Sequence, residues 1–209
     1  MILETFVTGM LENNNFLLID EKSKEAILVD CSMDIEGVKE KLDEYGAKLK
    51  YILITHGHFD HILGLNEIAE QFPEAQVLAP VLDKEMIEKA DEFVKMFVGF
   101  LGDIEVPKIS KFIDENEEIF IGSEKIKIIS TPGHTEGGVC YFVDDKLFSG
   151  DTIFLESYGR TDLPGGNYDE LKNSIKKVLD MFDDNVEIYS GHGDSTSVGH
   201  EKQYNPIYN

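Results

Sequence analysis

The segment Thr55-His56-Gly57-His58-Phe59-Asp60-His61 places three of the chain's six histidines and a carboxylate within six positions, directly after the apolar run 51–54. Neutral imidazole and carboxylate are the ligands of zinc and related divalent ions, and the alternation at positions 56, 58 and 60 can aim three groups from one extended turn. Gly57 lets that turn bend tightly. One ion would be crowded by His56, His58, Asp60 and His61 together, so the spacing favours two neighbouring ions. A solvated surface cluster of histidines is the bland alternative, and three further loops argue against it. Each follows a short apolar run into Ser or Thr and then a group able to ligate: His134 after IISTPG, Asp151 after LFSG, and His192 after EIYSG. A carboxylate such as Asp151 can bridge two cations because each oxygen binds one. His200 has no such setting and is read as a surface or packing residue.

The elements that must carry these loops follow from hydrophobic periodicity. Residues 16–20 and 26–30 form a hairpin about the polar turn 21–24. Ile35, Val38, Leu42 and Tyr45 predict a helix capped by Asp34 and ended by Gly46. The run 51–54 predicts a buried strand, and Ile62, Leu65, Ala69 and Phe72 predict a helix over 62–72 with Pro73 beyond it. Leu82, Met86, Ala90, Phe93, Val94 and Phe97 predict a third helix over 81–98 with a flexible exit at Gly99 and Gly102. Its apolar stripe is either core or a wall over a pocket. Strands return at 126–129, 139–143, 147–148 and 186–189, and a last helix covers 169–182. Strands interleaved with helices, without a Pro/Gly/Ser-rich linker, predict an α/β chain with sheets covered by helices, folded as a single domain over 1–209. Ligands carried past strand ends converge on one sheet edge, where a binding crevice commonly forms.

The chain carries 19 Lys and Arg against 41 Asp and Glu, a formal net charge of -22. Such a molecule repels phosphate backbones and anionic lipid head groups, so the expected partner is a small-molecule substrate and neither nucleic acid nor a membrane; a homo-oligomer is compatible with the sequence. No apolar stretch approaches the ~20 residues that span a bilayer, and the N-terminus lacks a signal-peptide pattern, which predicts a cytoplasmic protein. Cys31 and Cys140 show no CxxC spacing and are read as small buried thiols.

Taken in order, THGHFDH, TPGHT, SGDT and SGHG resemble the metallo-β-lactamase superfamily and, within it, the glyoxalase-II-like (hydroxyacylglutathione hydrolase-like) branch of short chains. The resemblance implies a four-layer αββα sandwich. It implies two divalent ions, zinc first with iron or manganese as alternatives, one held by His56, His58 and His134, the other by Asp60, His61 and His192, with Asp151 bridging. It also implies that Asp60, His58 and Asp151 serve catalysis. Two cations roughly 3.5–4 Å apart lower the pKa of a water between them and polarise a carbonyl, and Asp60 would orient the nucleophile. A thiolate leaves with little help from an acid, so the expected reaction is hydrolysis of a thioester such as S-lactoylglutathione or another acyl-thiol. Tyr158 and Arg160 are expected on the substrate side, with Arg160 also read as an ion-pair partner of Asp162. Asp30 is a candidate to orient a ligand histidine, or a turn residue. Classical members of the branch add a C-terminal helical region that contributes to glutathione binding, whereas this sequence ends at Asn209, so acyl-thiol chemistry is expected with glutathione itself in question and another low-molecular-weight thiol able to serve. Glu136 and Gly138 stand where relatives more often have Pro and Ser, adding acidic charge beside the pocket. Three alternatives remain at this point. They are a persulfide dioxygenase holding one iron by His56, His134 and Asp151, a lactone or β-lactam hydrolase, and a non-catalytic metal-containing binding module.

Overall fold

A computed structural model describes residues 1–97, 99 and 104–208. Two six-stranded sheets form its centre. The first contains, in spatial order, β1 (Ile2–Thr8), β2 (Asn13–Ile19), β3 (Glu25–Val29), β4 (Lys48–Leu53), β5 (Gln76–Pro80) and β6 (Lys111–Ile113). Its first three strands are antiparallel and the rest pair in parallel. The second runs β14 (Thr196–Ser197), β13 (Glu187–Ser190), β10 (Lys146–Gly150), β9 (Val139–Val143), β8 (Glu124–Ser130) and β7 (Ile119–Ile121). A small hairpin, β11 (Ile153–Phe154) with β12 (Ser157–Tyr158), stands apart from both.

Alternation along the strands explains the layers. Leu17, Ile19, Leu28, Ile52 and Ile54 face α1 (Val38–Tyr45) and α2 (Leu65–Gln71) through Val38, Leu42, Leu65 and Ile68. Phe16, Leu18, Val29 and Leu53 point the other way, where they meet Ile126, Ile128, Tyr141 and Phe148 of the second sheet. On that sheet's far side, Ile129, Cys140, Leu147 and Ile188 pack on Leu171, Ile175, Val178 and Leu179 of α5 (Tyr168–Met181) and on Val198 of α6 (Val198–Tyr204). The three apolar seams make a helix-sheet-sheet-helix sandwich, the αββα architecture the motifs imply. Strands buried on both faces read as unbroken apolar runs, and each fully buried Leu, Ile or Phe contributes about 1.5–3 kcal/mol.

Several boundaries differ from the periodicity. The first helix begins at Val38 with Gly37 at its cap in place of the expected Asp34, which lies four residues upstream in the left-handed region at φ 58; it ends at Gly46, whose φ of 62 suits the left-handed cap. The second begins at Leu65, since Phe59–His61 winds into a separate 3-10 turn. The predicted helix over 81–98 is three pieces: a 3-10 turn Val81–Asp83, α3 (Lys84–Glu88) and α4 (Ala90–Phe97). Val98 and the exit at Gly102 lie outside the described residues. β5, β6 and α6 have no counterpart in the sequence reading; β6 is too short to show a period, and β5 carries its strand signal in three residues before Pro80.

Candidate metal centre

Four strand ends deliver the seven groups to one edge. β4 runs into Thr55 and His56, β8 into the 131–134 turn, β10 into Asp151 and β13 into His192. The sheets are tied at this edge by Val139 N–H donating to the Thr55 carbonyl at 2.9 Å, and the two last loops by Gly191 N–H donating to the Gly150 carbonyl at 2.8 Å. β10 pairs in parallel with β13, Gly150 opposite Ser190, which sets Asp151 and His192 side by side.

Two triads form there. His56 Nε2 lies 3.1 Å from His58 Nδ1, which lies 2.8 Å from His134 Nε2. Asp60 Oδ2 stands 3.1 Å from His192 Nε2 and 3.6 Å from His61 Nε2. Asp151 reaches both: Oδ2 is 3.4 Å from His134 Nε2 and 3.7 Å from His192 Nε2, while Oδ1 is 3.4 Å from His61 Nε2. Each triad offers ligand atoms within 4.8 Å of one another. The sequence reading aimed residues 56, 58 and 60 from one extended turn; here only His56 and His58 share a triad, because the 3-10 turn swings Asp60 and His61 to the other.

Hydrogen bonds at the outward nitrogens hold four of the rings in place. The Thr55 hydroxyl donates to Asp30 and accepts from His56 Nδ1 at 3.1 Å. His134 Nδ1 donates to the Arg160 carbonyl at 2.7 Å, His61 Nδ1 to Asp30 Oδ2 at 2.8 Å, and His192 Nδ1 to the Leu11 carbonyl at 3.0 Å. Each of these bonds orients its ring so that Nε2 faces the centre. Burial drives His56 well below its ordinary pKa and His58 down to about 3, so both are neutral. His56 Nε2, His58 Nδ1 and His134 Nε2 thus converge within hydrogen-bond distance, and Asp151 Oδ1 is buried without a hydrogen-bond donor. Donors of this kind, in this arrangement, fit divalent cations. Gly191 leaves the space: a Cβ there would stand 2.4 Å from Asp151 Oδ1 and 2.7 Å from His61 Cε1.

The remaining expectations divide. Asp30 does orient a histidine, accepting from His61 Nδ1 and from both Thr55 N–H and hydroxyl. Tyr158 and Arg160 line the cavity over the centre, and the Arg160 guanidinium is paired with Asp162 at 2.7 Å through both Nε and Nη2. His200 pairs with Glu156 and belongs to neither triad. Cys31 and Cys140 are free and buried. Two features escaped the sequence reading. Asp83, 1% exposed, accepts from Gly57 N–H at 2.8 Å, the Thr135 hydroxyl at 2.8 Å and Gly137 N–H at 2.7 Å, so one carboxylate clamps both histidine loops. Asn13, Asn14 and Asn15 are all buried; Asn14 donates to the Ser190 and Gly193 carbonyls on either side of His192, and the Asn13 amide nitrogen lies 2.9 Å from His61 Nε2. A run of three amides entering an apolar strand was the available signal.

The metallo-beta-lactamase superfamily model matches residues 9–193. The hydroxyacylglutathione hydrolase GloC of Haemophilus influenzae is 30% identical over 211 residues, covering 97% of this chain and 95% of that protein. Among solved structures, the B3 metallo-beta-lactamase BLEG-1 superposes with a TM-score of 0.89 at 30% identity over 99% of both chains. TTHA1623, crystallised in a di-iron-bound form, superposes with a TM-score of 0.85 at 28% identity over 98% of this chain and 99% of its own.

Proposed function

This chain belongs to the metallo-β-lactamase superfamily of metallo-hydrolases, and we propose that it is a binuclear metal-dependent hydrolase that cleaves a thioester. The observation that carries the reading is the set of seven inward-facing donors, five of them imidazoles, whose outer nitrogens are in four cases already satisfied. His56, His58 and His134 would hold one cation, Asp60, His61 and His192 the second, and Asp151 would stand between them. Zinc suits this nitrogen and oxygen set, with iron or manganese able to use the same donors. Bound here, the pair supplies Lewis acidity toward a carbonyl and makes water a nucleophile at neutral pH.

The chain's own residues supply the rest. Asp60 borders the cavity with a carboxylate that burial pushes up in pKa but His61 and His192 hold below the usual range, so it is an acceptor able to orient an attacking water. Asp151 is likewise ionised, its burial outweighed by His61, His134 and His56. The water oxygen bonds to the acyl carbon, the carbon–sulfur bond breaks with its electron pair on sulfur, and the thiolate takes up a proton. His58 holds its place by burial rather than by charge, which keeps its lone pair available.

The test is hydrolysis of two thioesters by the zinc-loaded protein, S-lactoylglutathione and a thioester of N-acetylcysteamine, followed by ultraviolet absorbance. Turnover of either, abolished by a chelator and restored by zinc, supports the reading. In Asp60→Asn kcat is expected to fall about 100-fold or more, with the fold intact by circular dichroism. Absence of turnover on both esters by fully loaded protein rejects it.

A further inference from the structure

The cavity over the two triads encloses about 630 Å³ and is walled by Leu11, Phe59, Phe93, Phe154, Tyr158 and Leu163. Apart from the histidines of the triads, its one basic side chain among the described residues is Arg160, and that guanidinium bonds Asp162 through Nε and Nη2. Arg160 brings the Asp162 carboxyl down to about 2, so both partners are charged at neutral pH. A smaller cavity of about 250 Å³ adjoins it at Phe93. There the one cation, Lys89, is bound to Glu85 at 2.6 Å, while Glu136 has no ion-pair partner among the described residues.

From this lining we infer that the site takes an acyl thioester that is uncharged and apolar on both sides of the sulfur, in preference to a thioester of an anionic carrier such as glutathione. The inference rests on the hydrolase reading above. A glutathione thioester brings two carboxylates and one ammonium, net negative, into a molecule of formal net charge -22, beside Glu136, while Arg160 and Lys89 are already paired with Asp162 and Glu85. Burying a carboxylate without a partner is unfavourable, whereas an alkyl or aryl group gains by leaving water for the Phe93 and Phe154 rings. The expected substrate is therefore a fatty or aromatic acyl group on a small neutral thiol.

Two esters with the same phenylacetyl group, one on N-acetylcysteamine and one on glutathione, test this with the zinc-loaded full chain. The neutral ester is expected to have the higher kcat/KM by about tenfold or more, a difference of about 1.4 kcal/mol carried mainly in KM. Raising salt from about 0.01 to about 1 M, which shortens the Debye length from about 30 to about 3 Å, should raise kcat/KM for the glutathione ester and leave the neutral one little changed. Asp162→Asn, by releasing Arg160, should narrow the gap several-fold. Equal or faster turnover of the glutathione ester, or a rate on it that falls with salt, overturns the inference while leaving the hydrolase reading standing. Turnover of neither ester overturns both.

Discussion

Among the five clustered imidazoles, His61 has the most acidic surroundings: Asp30, Asp151 and Asp60 together overcome its burial and hold its pKa well above the ordinary value. His192 is shifted the same way, chiefly by its bond to Asp60 against burial, whereas His56 and His58 are held neutral by burial. A cation must displace a proton from a group whose pKa is raised and need not from one whose pKa is depressed. Zinc binding at the His61 triad is therefore expected to release protons near pH 7 and to strengthen as pH rises, while His58, down at about 3, and His56, held well below its ordinary value by burial, release none there. Calorimetric titration in buffers of different ionisation heat measures this; equal proton release at both sites would contradict it. The clustering of the seven candidate groups was legible because residue types able to ligate recur after apolar runs. Asp83 and the Asn13–Asn15 run were not, because each acts on backbone or rings brought close only by the fold. Asp30 was legible only as one of two roles, since the sequence does not show that His61 lies beside it.

The elements around the centre are held in register by a few polar contacts. Asp83 joins the loop after β4 to the loop after β8, and it ends the 3-10 turn where the third predicted helix breaks. The Leu82 to Phe97 stripe is compatible with one continuous helix, and nothing in it foretells that residue 83 must turn inward to reach Gly57 and Gly137. Asp83→Ala leaves three donors without their acceptor and is expected to destabilise the fold by about 1–3 kcal/mol and to weaken zinc affinity, read by urea unfolding and chelator competition. Unchanged affinity would show that the histidine loops hold themselves. Gly191→Ala places a methyl against Asp151 and His61, and affinity is expected to fall roughly 10- to 100-fold with little change in apoprotein helix content.

At the scale of the whole molecule, the sandwich buries three apolar seams and leaves strand ends of both sheets on one edge, where the four loops with the candidate donors emerge. The architecture was legible from the motifs and the interleaving of strands and helices. The order of strands within each sheet was not, since pairing such as β10 with β13 joins segments far apart in sequence. No described helix is long and apolar enough to cross a membrane. Because the two triads join loops from both sheets, metal binding favours the folded sandwich over the unfolded chain. Zinc at 100 times its dissociation constant is expected to add about 2.7 kcal/mol per site and raise the melting temperature accordingly. The most direct test of the binuclear hydrolase is elemental analysis of protein purified without added metal, paired with thioester turnover on the same sample. The account predicts about two divalent ions per chain, zinc foremost, with turnover proportional to occupancy of the second ion. One iron per chain, no thioester hydrolysis and oxygen uptake with a persulfide would contradict it.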